Sequence, residues 1–432
     1  MKPLLGEDWT RFEAALAAPL RRGLRINPLK ADPARVVGYF AGRLSPAPFA
    51  ENGYYLEGEL RAGADPLHHA GGYYMQEPSA MGAVTALDPR PGERILDLCA
   101  APGGKSTQIA AALKGKGLLW CNEYVRSRAS VLMQNLERCG VRNALVTSLD
   151  AVPLCEETAE AFDGVLCDLP CSGEGMFRKE PAALTEWSEE NIALCAARGE
   201  YVLNAAAGAV RPGGRLLMST CTFAPEENEQ NAARFLAAHP EFEPVDLSRL
   251  PFGSPSLPPY TRGRRIWPWQ GGEGHFLALF RKRGDAPGRW LPYQPPKRDP
   301  WADKGAELYR SLFAAPPRGT FVTLGDTVRL LPADMPATRL HLLGAGIAAA
   351  EIKKDRLEPA HSLFAAALPA DCLRRVDPAD PLSFLRGETV ACDPALSGFA
   401  AVTAAGAVCG FGKAVKGTLK NHYPKGLRII NG

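Results

Sequence analysis

The chain lacks any apolar run of the about eighteen residues that a membrane-spanning helix needs, so no helical span is expected. Its first residues, MKPLLGEDWTRFEAAL, carry acids where a secretion signal needs an apolar centre, so export is not expected either. No CxxC pair occurs, and the cysteine count of 11 is odd. Both facts argue against a disulfide framework and against a zinc ribbon; no metal site is expected, and a reducing cytoplasm fits best. Two phosphate-loop signatures are also missing, GxxxxGK[ST] and GxGxxG, which excludes the commonest nucleotide-binding turns. What remains is ordinary globular material. Hydrophobic residues make up 46% and charged residues 22% of the 432, enough for two to four domains with well-filled cores.

Net charge is only +3, but it is unevenly spread. Residues 145–245 hold 6 basic and 17 acidic side chains, a net of −11. Residues 249–318 hold 13 basic and 5 acidic, a net of +8, and the last 32 residues hold 5 basic and none acidic. Such polarity suits a chain that turns a basic face toward a polyanion.

Residues 1–85 read as a small mixed α/β domain. DWTRFEAALAAPL has helical spacing, RRGLRINPLK a basic strand and turn, and ADPARVVGYFAGRL a helix with an Asp cap. Over residues 86–284, short apolar runs (ERILDLCA, GLLWCNEY, NALVTSLD, FDGVLCDLP, GGRLLMSTCT) alternate with amphipathic helices. That alternation predicts a doubly wound, Rossmann-like α/β sheet with right-handed crossovers. Residues 285–300, rich in proline and charge, read as a linker. Residues 301–432 read as a β-rich region broken by Gly and Pro.

The densest signal is LDLCAAPGGKSTQIA, residues 96–110. A strand ends at Asp97, a turn runs through Cys99, Ala100, Ala101, Pro102, Gly103 and Gly104, and a helix starts near Lys105. Glycines allow close approach of a ligand, and a helix N-terminus favours negative groups. Glu123, at the tip of the next strand, is placed to accept hydrogen bonds from two ribose hydroxyls, and Asp150, after the third strand, to meet an adenine amino group. An adenosine-bearing ligand at the C-terminal edge of the sheet follows. Lys105 opposes the dipole of its own helix, a placement that asks for a reason beyond solvation. Most of the cysteines read as small core residues. Cys171 and Cys221 differ, because each follows an apolar strand into a polar turn.

CAAPGGKS, DLPCSGEGMFRK and STCTFAPEENE, in that order, resemble the signature blocks of the RNA cytosine carbon-5 methyltransferases, the Nop/Sun family. GGYYMQEPSAM resembles the block before the ligand loop, and the tail GFGKAVKGTLKNHYPKGLRI is similar to the PUA-like C-terminal extension of the bacterial 16S rRNA enzymes of the RsmF type. The resemblance implies a class I methyltransferase core, S-adenosylmethionine as cofactor, and cytosine methylation through a covalent cysteine adduct. It implies Cys221 as nucleophile, Cys171 in product release, Asp168 at the cytosine edge and also near the cofactor, and Lys105 beside the adduct; spacing alone does not rank the two cysteines.

The partner expected is RNA, 16S rRNA or the 30S subunit, met by a monomer. A tRNA substrate, or a catalytically silent assembly factor, stays open at this level. For RNA contact the expected residues are Arg25 and Asn27, in a family block of the N-terminal domain, Arg178 and Lys179 after the PC block, and Arg264 within a cation and aromatic cluster (Arg262, Arg265, Trp267, Trp269). The tail adds Lys413, Lys416, Lys420, Asn421, His422, Tyr423, Lys425 and Arg428. Tyr73, Tyr74 and Phe177 are candidates to support an unstacked base.

Overall fold

The computed structural model describes residues 1–429. The N-terminal domain opens with a short helix, Lys2–Leu5, followed by the helix Trp9–Ala17. Its antiparallel sheet is built from β1 (Arg22–Ile26), β2 (Leu44–Pro46), β3 (Gly53–Leu56) and β4 (Tyr73–Met75), in the order β2-β3-β1-β4. The helix Pro33–Tyr39 starts where expected, because the Asp32 carboxylate accepts the N–H groups of Ala34 at 2.8 Å and Arg35 at 3.2 Å.

The central sheet contains five parallel strands: β5 (Arg94–Asp97), β6 (Leu118–Asn122), β7 (Ala144–Thr147), β8 (Phe162–Asp168) and β9 (Val210–Thr220). β10 (Phe242–Val245), β11 (Ser254–Pro255), β12 (Arg264–Ile266) and β13 (His275–Lys282) follow, and β13 runs antiparallel to β9. Each residue of β6 and β7 is buried, because helices cover both faces of the sheet. One layer centres on Trp120, Phe162, Phe235 and Phe280, the other on Ile109, Leu132, Leu166 and Leu217. A buried polar chain ties the strand ends together. The Trp120 indole donates to Thr147 Oγ1 at 3.1 Å, Thr147 Oγ1 donates to Asn122 Oδ1 at 2.8 Å, and the Asn122 amide donates to Leu98 O and Leu149 O at 3.3 and 3.0 Å.

Beyond the core, β14 (Thr320–Leu324) and β15 (Thr327–Leu331) form a sheet with β17 (Ile347–Lys353) and β18 (Arg356–Pro359). The intervening β16 (Gly344–Ala345) pairs antiparallel with β7, so this region covers the free edge of the central sheet. A second sheet in the order β19-β21-β22-β23-β20 is formed by β19 (Arg375–Val376), β20 (Val390–Ala391), β21 (Gly398–Ala404), β22 (Ala407–Val415) and β23 (Thr418–Asn421). The β-rich region thus begins with a helix, Pro300–Leu312, capped by Asp299, which accepts the N–H of Ala302 at 3.0 Å. The preceding proline-rich segment is laid against the body. Trp290 donates to Asp334 O at 3.2 Å, meets Phe162 at 6.1 Å and lies beneath the Arg94 guanidinium at 4.5 Å. Among the described residues, no helix is long and apolar enough to cross a membrane.

Several residues expected at the RNA are instead joints of the fold. Arg25, 2% exposed, donates to Gln76 Oε1 at 2.9 Å, to Thr107 Oγ1 at 2.6 Å and to Gly104 O at 3.2 Å. Asn27, 1% exposed, donates to Gly71 O and Cys139 O, both at 2.9 Å. A buried guanidinium or amide needs these acceptors, which leaves neither group free for a phosphate. Lys30 has a similar place: its ammonium is buried against Val408 O at 2.9 Å and Ala365 O, tying the N-terminal domain to the C-terminal region.

Arg265 on β12 is likewise internal. Its Nε and Nη2 donate to the two oxygens of Glu229 at 2.6 and 2.5 Å, and its Nη1 donates to Phe223 O at 2.8 Å. Glu229→Ala would leave a buried guanidinium without its counter-ion. An expected loss of about 3–5 kcal/mol should appear in urea unfolding.

Candidate active site

Two neighbouring parallel strands build the centre. β8 ends at Asp168 and β9 at Thr220, and their register sets Asp168 opposite Ser219. Ser219 Oγ donates to Asp168 Oδ1 at 2.7 Å, and Lys105 Nζ donates to Asp168 Oδ2 at 2.7 Å. Lys105 stands in the first turn of the helix Gly104–Leu113, and its unfavourable position there is offset by this carboxylate. Burial disfavours the Lys105 ammonium, yet Asp168 outweighs it and holds Lys105 above its ordinary pKa. Burial likewise pushes Asp168 up, but Lys105, His275 and Ser219 together bring it below the usual carboxylate range. The pair is therefore charged at neutral pH. His275, 4% exposed, has its Nε2 at 3.8 Å from Asp168 Oδ1, and neither ring nitrogen has a hydrogen-bond partner. Burial, reinforced by Lys105, pushes its pKa down to about 4, so the imidazole is neutral.

The turns after these strands bring Cys171 Sγ to 3.4 Å from Cys221 Sγ, and both cysteines are partly exposed. The two turns are stitched together. Gly175 N–H donates to Cys221 O at 2.8 Å, and a Cβ at position 175 would lie 2.9 Å from that same oxygen, so the approach needs glycine. Ser172 donates through N–H and Oγ to Glu227 at 2.9 and 2.5 Å, and Glu174 Oε2 accepts the N–H of Phe223 at 2.8 Å. The hydrogen bond with Cys221 and then burial push the Cys171 thiol well above its ordinary pKa. Burial raises Glu227 to about 7, against its bonds from Ser172.

The glycine turn is equally braced. The Asn135 amide donates to Pro102 O at 2.9 Å, and Arg128 donates to Ala101 O at 3.1 Å. Gly103, at φ 111°, turns the chain into the helix. Cys99 is partly exposed beside this turn, its thiol pushed up by burial. Asp97 is wholly buried; its Oδ2 accepts Ser106 Oγ at 2.6 Å while Oδ1 has no partner. Glu123 engages Oε1, which accepts the N–H of Val125 at 3.0 Å and faces Arg128 at 3.6 Å. Asp150 caps its helix through the N–H of Val152 at 3.0 Å and accepts Tyr201 Oη at 2.6 Å, so the same oxygen already has two donors. An unpartnered buried carboxyl oxygen and a half-engaged Glu123, flanking a glycine turn, suit a ligand that brings hydroxyl donors and positive charge.

The structure brings the sequence-predicted Lys105, Asp168, Cys171 and Cys221 to one edge of the sheet, while sequence reasoning missed the groups packed around them: Ser219, His275, Glu174 and Glu227. Glu174 and Glu227 lie inside the quoted blocks, yet nothing in their spacing says that they accept bonds from the opposite turn. Other expectations are corrected by burial. Arg264, 9% exposed, spends its guanidinium on Leu247 O at 3.0 Å and Ser248 O at 2.6 Å. Arg178 holds Glu273 through two bonds of 2.8 Å and also donates to Leu16 O and Ala18 O. Tyr423, Tyr73, Tyr74 and Trp267 are buried, so none offers a face to a base. Lys179 is half-exposed, and Lys413, Lys416, Lys420 and Lys425 remain on the surface.

Burial raises the Asp97 carboxyl to about 7. The folded chain therefore keeps a proton that the unfolded chain releases in the ordinary carboxylate range, and stability should fall as pH rises from that range through about 7. Thermal melts from pH 5 to 8 should show Asp97→Asn losing part of this decline and gaining on the wild type at the alkaline end.

Three family models match the chain: 16S rRNA methyltransferase RsmB/F over residues 84–281, the N-terminal domain of 16S rRNA methyltransferase RsmF over residues 1–78, and the methyltransferase RsmF PUA domain over residues 376–429. The ribosomal RNA small subunit methyltransferase F of Salmonella heidelberg is 36% identical over 304 residues, which covers 66% of this chain and 62% of the relative. Its counterpart in Escherichia fergusonii is 42% identical over 227 residues, covering 50% and 47%. The chain thus spans less than two thirds of the length of these relatives. Among solved structures, a methyltransferase homologue from Pyrococcus horikoshii is 29% identical with a TM-score of 0.57, covering 64% of this chain and 91% of that one. With all three models falling in order on one polypeptide, around a Rossmann-like core, the chain is similar to the 16S rRNA methyltransferases RsmB/F over residues 84–281 and to the N-terminal and PUA domains of RsmF on either side.

Proposed function

We propose that this chain transfers a methyl group from S-adenosylmethionine to carbon 5 of a cytosine in 16S rRNA through a covalent adduct on Cys221. The observation that carries this reading is the 3.4 Å approach of the two sulfurs at the C-terminal ends of β8 and β9, next to the Lys105–Asp168 pair. The cofactor would be held by the turn Cys99–Gly104, by Glu123 and by the surroundings of Asp97, with Asp150 beyond. When bound, it supplies an electrophilic methyl group on a positively charged sulfur.

Carbon 5 of cytosine is a weak nucleophile on its own. Addition of Cys221 Sγ to carbon 6, with loss of the thiol proton, forms the S–C6 bond and moves the 5,6 electron pair to carbon 5. Carbon 5 is then methylated. Loss of its proton and expulsion of Cys221 Sγ restore the double bond and the free thiol. Two features of the site suit this chemistry. The 3.4 Å contact puts Cys171 within reach of an adduct formed on Cys221, as a role in product release requires. Lys105 supplies a fixed positive charge on the same edge, where the electrons displaced onto the ring need stabilisation. Asp168, with 29% of its side chain exposed, can be reached by the base, and its bonds to Lys105 and Ser219 keep it in one orientation.

Cys221→Ala should abolish methyl transfer to 16S rRNA while leaving cofactor binding, followed by calorimetry, within about twofold. Cys171→Ala should accumulate an RNA–protein species that survives denaturing electrophoresis; its absence would overturn the assignment of product release to Cys171. Lys105→Met should lower kcat by about 10²-fold or more with the fold retained. Side-by-side assays on 30S subunits, free 16S rRNA and tRNA test the substrate, and transfer confined to tRNA would overturn the ribosomal reading.

A further inference from the structure

The helix Trp9–Ala17 and the turn before β1 sit on the rim of the active site, yet the chemistry above uses neither. Phe12 packs edge-on against Phe223, two residues past Cys221, with ring centres 5.4 Å apart. Phe223, Trp267 and Trp269 stack face to face at 5.4 and 5.3 Å. This aromatic ladder starts beside the nucleophile and ends at the half-buried Trp269, where the Arg11 guanidinium covers the ring at 5.3 Å. Arg21 lies over Tyr55 at 5.1 Å.

Between them opens a cleft of about 330 Å³, lined by Arg11, Arg21, Arg178, Trp269, Gly271 and Glu273 among others. Its charge is one-sided. Glu273 is the one acid in the lining, and both of its oxygens are taken by Arg178 at 2.8 Å. Arg11 and Arg21 are exposed, and neither forms an ion pair among the described residues. The wall is closely fitted. Gly271 has φ +99°, and a Cβ there would fall 2.2 Å from Tyr55 Oη and 3.7 Å from Arg21 Nη1. The cleft also joins the reaction centre through its own backbone. Glu273 O and Gly274 O crowd Gly175 on the Cys171 turn, and His275 faces Asp168 at 3.8 Å.

We propose that this cleft is a nucleotide subsite for the RNA strand beside the target cytosine, with a phosphate between Arg11 and Arg21 and a base or sugar against Trp269. The proposal rests on the RNA reading above and adds where the strand leaves the reaction centre. A polymer presenting one cytosine to Cys221 must continue past the rim. This rim offers two guanidiniums without an ion-pair partner among the described residues, the charge that tracks a single-stranded RNA backbone.

The test uses the full chain, its Arg11→Ala/Arg21→Ala variant and the corresponding double lysine variant, with fluorescent decauridylate as the probe. Anisotropy titrations over a range of salt should show the alanine variant binding at least about tenfold more weakly. The slope of log affinity against log salt should flatten by about 0.7, the share of one phosphate on a single strand. Because both side chains are exposed, the melting temperature should not move, and the lysine variant should recover the slope. On 16S rRNA the alanine variant should raise KM and leave kcat unchanged. An unchanged affinity and slope would overturn the subsite, even if the wild type methylates. A wild type that transfers no methyl group, yet binds decauridylate through these arginines, would overturn the catalytic reading and leave the subsite standing.

Discussion

The pairing of β8 with β9 is the constraint on which the site depends. Parallel neighbours in register put Asp168 beside Ser219, and the turns that follow inherit that closeness. Cys171 and Cys221, fifty residues apart in the chain, meet at 3.4 Å because each leaves its strand on the same edge. A slip of one residue would point Asp168 to the other face of the sheet and part the carboxylate from both Ser219 and Lys105. The buried chain from Trp120 through Thr147 to Asn122 keeps the adjacent strand ends aligned in the same way.

Charge at this edge is handled by pairing. Lys105 and Asp168 are each stabilised in charged form by the other, and His275, buried beside them without a partner, is neutral. The acidic run after Cys221 answers to the same logic. Glu227 accepts from Ser172, Glu229 neutralises Arg265, and Glu174 reaches across from the opposite turn to Phe223. Three of the 17 acids in residues 145–245, Glu174, Glu227 and Glu229, are thus structural, while others such as Glu156, Glu186 and Glu241 are exposed. The polarity read from the sequence has a mixed origin, with some basic residues answering these acids internally and others left on the surface.

The N-terminal domain is coupled to the ligand turn mechanically. Arg25 reaches from β1 into the first helical turn after Gly103, Asn27 bonds Cys139 O, and Lys30 meets the C-terminal region. Tied at these points, the N-terminal domain holds its surface in a fixed relation to the glycine turn. The edge-on contact of Phe12 with Phe223 extends the same coupling to the turn that carries Cys221.

Periodicity and turn residues were enough to read the alternating strands and helices, the Asp32 cap, the glycine turn and the two cysteines leaving strand ends. These are local properties, carried by spacing along the chain. Arg25, Asn27, Arg264 and Arg265 read as RNA-facing groups in sequence because a guanidinium or amide looks the same whether it meets a phosphate or a buried carbonyl; only the acceptors around it, distant in the chain, tell the two apart. The helix Pro300–Leu312 and the edge strand β16 escaped notice because their apolar faces and unpaired backbone groups acquire meaning through the surfaces they cover. The amino-acid sequence by itself determined the sheet, the order of its motifs and the residue types available for chemistry. Tertiary structure decided which cations are internal struts, which acids brace the turns and how closely the two sulfurs approach, since those outcomes depend on burial and on partners that the linear order does not bring together.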